Sequence, residues 1–127
     1  MRMMLLLAGV LSFPVMANSL TVCQLLSDDQ GGVTYCLNRL SYHAQIRLDE
    51  NLASLLAERE ELDVITQQQY QAAQSLTAAH AQFLGWREAK CLSVKASYAS
   101  GNGAEQAYLA CKTDETVAFA DWLGQQL

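Results

Sequence analysis

The sequence predicts an all-α fold: a small, disulfide-stapled bundle of about four helices, two of them long and antiparallel. Three observations lead there. The only proline among the 127 residues is Pro14, so everything beyond it lacks the residue that most reliably breaks a helix. Apolar residues recur every three or four positions over long stretches, and no segment alternates with the period of two that a strand needs. Four cysteines (Cys23, Cys36, Cys91 and Cys111) straddle two glycine-rich segments, two around each.

Residues 1–17 form a unit of their own. Arg2 precedes an apolar run from Leu5 to Phe13, Pro14 interrupts it, and Val15-Met16-Ala17 ends on a small residue. This is the layout of a cleaved secretory signal peptide, with cleavage expected after Ala17. The run is about half of the ~20 apolar residues that span a bilayer, so a membrane anchor is not expected. Val22 is too bulky for a lipoprotein cleavage box ahead of Cys23, so neither is lipidation. The remainder, residues 18–127, reads as one domain bound for the periplasm, with thirteen acids and seven bases.

Helices are expected near 20–29, 34–62, 67–98 and 104–123. Thr21-Val22-Cys23-Gln24 and Thr66-Gln67-Gln68-Gln69 fit the capping box, and Asn102-Gly103-Ala104-Glu105 is a weaker version. The second helix carries a stripe of Leu37, Leu40, Ala44, Leu48, Leu52, Leu55 and Leu62. The third carries Tyr70, Ala73, Thr77, His80, Leu84, Arg87, Cys91, Val94 and Tyr98. The fourth carries Ala104, Ala107, Tyr108, Cys111, Ala118 and Trp122. Gly31-Gly32 and Ser100-Gly101-Asn102-Gly103 are the strongest turn signals. Cys23 and Cys36 flank the first turn, and Cys91 and Cys111 the second, at comparable distances. In a helical hairpin such positions come level, so the expected bonds are Cys23–Cys36 and Cys91–Cys111. Export to an oxidising compartment favours disulfides, and the spacing does not suit a metal.

The chain is 51% apolar, too much for disorder, and has a formal net charge of −5. A nucleic-acid partner is not expected, because clustered Lys and Arg are lacking. No nucleophile elbow, phosphate loop or metal-ligand set can be assembled, so neither enzyme chemistry nor a cofactor is expected. Glu58, Glu60, Glu61 and Asp63 around Arg59 read as a solvated face, with docking of a basic partner as the alternative. His43 and His80 read as packing residues, and Trp86 as core. Arg87 lies on an apolar stripe, where a charge must be paired or reach water; Asp49, Glu50 or Glu88 is the expected partner of an ion pair that fixes helix register.

Trp86-Arg87-Glu88-Ala89-Lys90-Cys91 resembles the aromatic-Arg-acid-Ala-x-Cys signature of the LprI-type lysozyme inhibitor family. The glycine-rich loop, Ala107-Tyr108-Leu109-Ala110-Cys111 and Thr116 follow as in that family. Upstream, Cys36 and the segment Ala44 to Asp49 fall where the family has its second Cys and an Ala-Asp-x-x-Leu-Asn run. The similarity extends over about residues 23–123. The chain departs from the pattern at Gln45 (Asp in the family), Asp49 (Asn) and Phe119 (Arg), and His80 to Gly85 replace an Ala-Trp.

The resemblance implies a helical, disulfide-bonded envelope protein that binds a lysozyme-type muramidase and blocks its cleft. An immunity protein against a muramidase effector is a close alternative; a structural or stress-response envelope module without a hydrolase target is a more distant one. The sequence leaves a homodimer open. Target contact is expected at the second glycine-rich turn: Ser100, Gly101, Asn102 and Gly103, flanked by Tyr98 and Glu105. The competing surface is an acidic helix face with Asp49, Glu50 or Glu58.

Overall fold

A computed structural model describes residues 18–127; the expected export signal, residues 1–17, lies outside the described residues. Four helices make up the domain: α1 (Ser19–Leu26), α2 (Gln30–Ile65), α3 (Ala72–Ser97) and α4 (Ala104–Gly124). At 1.5 Å per residue, the 36 residues of α2 span about 54 Å.

Side-chain contacts give the directions. Asp63 meets Ala72 and Gln45 meets Arg87, so α2 and α3 are antiparallel. Arg87 meets Thr116, and Lys95 pairs with Glu105, so α3 and α4 are antiparallel as well. Gln106 donates to Gln30 O, Asn51 donates to Ala120 O, and Arg59 donates to Gln126, which sets α2 and α4 parallel. Helix α2 packs more extensively on α4 than on α3, its neighbour in sequence.

Both expected disulfides are present, Cys23–Cys36 with Cα atoms 5.6 Å apart and Cys91–Cys111 at 5.5 Å. They sit at neighbouring levels of the bundle. Ala110 packs in the small apolar cluster of Cys23, Val33 and Leu37, while the adjacent Cys111 is bonded to Cys91. A second cluster fills the other half: Leu48, Leu55, Leu76, Phe83, Ala120 and Leu123.

Several boundaries differ from the sequence reading, each for a local reason. Gly31-Gly32 is the first turn of α2 rather than a connection. The chain reverses at Ser27-Asp28-Asp29, and Asp29 caps α2 by accepting from Gly32 N at 2.6 Å. Gly32 is there for close approach: a Cβ would lie 2.9 Å from the Ser27 hydroxyl. Helix α1 is capped by Asn18, which accepts from Thr21 N, rather than by Thr21. Helix α4 begins after Gly103, with no side-chain cap.

The largest difference lies between α2 and α3. Helix α3 starts at Ala72, not residue 67, because its cap comes from the preceding helix. Asp63 is buried (3% exposed), and its carboxylate accepts from Ala72 N at 2.7 Å and Ala73 N at 2.9 Å. It is therefore no part of a solvated acidic face. To close this turn Gln67, Gln68 and Gln71 take left-handed backbone conformations, which cost residues with a Cβ roughly 1–2 kcal/mol each.

The stripes need correction too. Leu62, Tyr70, Thr77, Leu84, Ala118 and Trp122 are exposed. The buried line of α3 runs through Ala72, Leu76, Phe83 and Cys91. Helix α4 contacts the other three helices, and its buried line runs through Ala107, Ala110, Thr113, Thr116, Ala120 and Leu123, two of them threonines. Thr113 and Thr116 are tolerated inside because their hydroxyls donate to Leu109 O and Lys112 O.

Asp63→Ala should destabilise the domain by about 1–2 kcal/mol in urea unfolding, with Asp63→Asn intermediate, because two helix-end N–H groups lose their acceptor. No change would return Asp63 to the solvent-facing class. Reduction of either disulfide should cost roughly 3 kcal/mol more, as expected for loops closed over 13 and 20 residues.

Candidate functional site

The segments that carry the motif meet at one point, between the two apolar clusters. Arg87 reaches from α3 toward α4 and donates through Nη1 to Thr116 Oγ1 at 2.8 Å, and more weakly to Gln45 Oε1 of α2 at 3.4 Å. Thr116 can do this because its single hydroxyl proton goes to Lys112 O at 2.7 Å, leaving a lone pair for the guanidinium. The guanidinium carbon also lies 5.3 Å from the centre of the Phe83 ring, within cation–π range. Its Nε is buried and without a partner among the described residues.

Among the described residues Arg87 forms no ion pair, contrary to the sequence expectation. Asp49 instead accepts from Gln45 Nε2 on its own helix at 2.8 Å, and Glu88 accepts from the Tyr108 hydroxyl at 2.8 Å. Arg87 is thus held by neutral acceptors and an aromatic face. At two of the positions where the sequence departs from the pattern it resembles, Gln45 offers Arg87 an amide oxygen and Phe119 brings no charge. Phe119 uses its position to stack on Phe83, with ring centroids 4.1 Å apart and planes 7° from parallel.

The rest of the motif clamps α3 onto α4. Lys90 pairs with Glu115, and Glu88 lies 3.6 Å from Lys112. Lys95 and Lys112 flank the Tyr108 ring at 5.5 Å and 5.2 Å. Glu105 hydrogen-bonds Lys95 and so holds that ammonium's pKa above its ordinary value. Trp86 is the exception: it is 60% exposed on the outer side of α3, not core. His43 is exposed beside Tyr42, whereas His80 is half-buried with its ring 6.0 Å from Phe119.

The expected contact turn lies at the stapled end. Ser100, Gly101 and Asn102 are exposed at its tip, and the Ser100 and Asn102 side chains make no hydrogen bond among the described residues. Short backbone bonds order the turn, including Gly101 N to Tyr98 O at 2.8 Å and Ala104 N to Gly101 O at 3.3 Å. Tyr98 is turned back over Gly103, whose Cβ, if present, would sit 3.2 Å from the ring. Tyr98 and Glu105 therefore brace the turn, and only its tip is uncommitted.

Sequence reasoning missed a second element here. Gln106 Nε2 donates to Gln30 O at 3.0 Å and Thr34 Oγ1 at 3.1 Å, which ties the α1–α2 turn beside the α3–α4 turn. That neighbouring turn displays Leu25 and Leu26, 81% and 74% exposed. Their place directly before Ser27-Asp28-Asp29 is the one signal that they end a helix rather than fill a core.

Among the described residues no helix is long and apolar enough to cross a membrane, and no group of three or more His, Cys, Asp or Glu could hold a metal ion. The fold and its stapled end define an all-α, doubly disulfide-bonded domain with two turns presented side by side. Residues 23–123 match the family described as lysozyme inhibitor LprI, and the chain belongs to that family. Its members are inhibitors, not enzymes. Neither a curated protein nor a solved structure matches the chain.

Thr116→Val should lower stability by about 1–3 kcal/mol, because it strips an acceptor from a half-buried charge. Thr116→Ser, which keeps the hydroxyl, should lose less in the same urea titration. Equal losses would assign the effect to packing alone.

Proposed function

We propose that the protein inhibits a lysozyme-type muramidase in the periplasm, after export on residues 1–17, by seating its stapled end in the enzyme's cleft. The observation that carries this reading is the match to the lysozyme inhibitor family across residues 23–123. Muramidases hold a glycan strand in a cleft that contains a catalytic carboxylic acid. A blocking element must be narrow, ordered before binding and able to hydrogen-bond a carboxyl group. The Ser100–Gly103 turn has those properties: glycines that permit close approach, hydroxyl and amide side chains, and the Cys91–Cys111 bond behind it. Order in the free state reduces the entropy cost of docking. Leu25 and Leu26 supply apolar contact at the rim, and Tyr98 and Glu105 support the tip.

The test is inhibition of a panel of host, endogenous and effector muramidases by the purified protein. Replacing Ser100 and Asn102 with Trp should weaken inhibition at least about tenfold, with little dependence on salt. Unchanged inhibition that falls steeply with ionic strength would move the contact to the acidic face of Asp49, Glu50 and Glu58. Failure to inhibit or bind any muramidase would overturn the proposal. Inhibition confined to one effector would make the protein an immunity protein.

A further inference from the structure

Helix α2 is charged unevenly along its length. From residue 30 to residue 48 its only charged side chains are Arg39 and Arg47, whereas Asp49, Glu50, Glu58, Glu60, Glu61 and Asp63 follow. Its inner face is covered by the other three helices. Its outer face is not. Tyr35, Arg39, Tyr42 and Ile46 lie there three or four residues apart, all exposed, with both tyrosines more than 60% accessible. Farther along, the same side carries Ala53, Ala57, Glu60 and Val64, also exposed.

Among the described residues the charges on this face form no ion pair. Among the described residues the Arg39 side chain hydrogen-bonds only Tyr35, its Nη1 donating to the hydroxyl at 3.3 Å. Glu60 forms no ion pair among the described residues, and Arg59 beside it is turned to Gln126. Tyr35, Asn38, Arg39, Tyr42 and His43 frame a shallow hollow of about 310 Å³ at the cationic end.

We infer that this face binds a second copy of the chain, the two α2 helices lying antiparallel with Arg39 of each paired to Glu60 of the partner subunit. A two-fold axis midway between Asp49 and Glu50 sets level any two residues equally far from it on the two helices. Arg39 then meets the partner's Glu60, Tyr35 meets the partner's Val64, Tyr42 meets the partner's Ala57, and Ile46 meets the partner's Ala53. Each bulky side chain on the stripe faces a small or apolar one, and Arg39 and Glu60 face their opposites, twice over. Such self-complementarity is what a two-fold interface requires.

From Tyr35 to Val64 the stripe is about 43 Å long, and helices are about 10 Å wide. Together the copies bury on the order of 900 Å², below the ~1,200 Å² at which stable interfaces begin. Asp49 and Glu50 place like charges beside the axis, with Asp49 turned back to Gln45. The dimer is accordingly a reversible one. It leaves the stapled ends at opposite extremes and does not depend on the identity of any hydrolase.

Sedimentation equilibrium of the purified, oxidised protein tests this. Association with a dissociation constant on the order of 10 µM is expected. Arg39→Glu or Glu60→Arg alone should weaken it at least about tenfold, and the double variant Arg39→Glu/Glu60→Arg should recover most of the loss. Both side chains are exposed, so an unchanged melting temperature controls for folding. A chain that stays monomeric near 1 mM, far above the weak-interface range, overturns the inference. So does a dimer indifferent to the single reversals, or one that the double reversal fails to restore.

Discussion

Arg87 places a positive charge at the waist of the domain, where α2, α3 and α4 converge and the apolar packing is interrupted. Above it lies the cluster around Cys23 and Leu37; below it lies the cluster around Leu48 and Phe83. Aliphatic clusters alone can tolerate a helix sliding by a turn, since one leucine replaces another. The guanidinium cannot. A slip of one turn, about 5.4 Å, would carry it away from Thr116 and Gln45 and leave a desolvated charge without acceptors. The node therefore selects one register of three helices, and with it the level at which Cys91 meets Cys111.

How this chain holds Arg87 differs from the pattern it resembles, and the difference is coherent. With Gln45 in place of an aspartate, the attraction on Arg87 falls from that of a full charge to that of an amide oxygen. With Phe119 in place of an arginine, a repelling neighbour is removed as well. The stack of Phe119 on Phe83 also supports the ring beneath the guanidinium. Two changes that look unrelated 74 positions apart in sequence act on one residue in space.

The helix count, the cysteine pairing and the second stapled turn were legible because each rests on local spacing, although in the first hairpin the reversal falls at Ser27-Asp28-Asp29 and not at Gly31-Gly32. What was not legible depends on contacts between distant elements. Asp63 reads as one more acid in a charged run, since nothing in the string says that the next helix will start against its carboxylate. Trp86 reads as core because large aromatics usually are, and its neighbour Arg87 takes the inward position instead. Helix α4 misled because Thr113 and Thr116 stand on its buried line, where an apolar pattern passes over them, while the exposed Ala118 and Trp122 fit such a pattern. The acid-free stretch of α2 was visible throughout, but its outward orientation was not.

The Thr66–Gln71 turn has one more consequence. Each disulfide closes a loop within its own helical hairpin, α1 with α2 and α3 with α4, and neither crosses from one hairpin to the other. Covalently the domain is two closed rings joined by residues 37–90, and the non-helical part of that joint is six exposed or half-exposed residues, three of them left-handed. A single protease cut there would yield two separately cross-linked pieces held together by Arg87, Asp63 and the apolar clusters. The chain would be severed while both turns at the opposite, stapled end kept their shape.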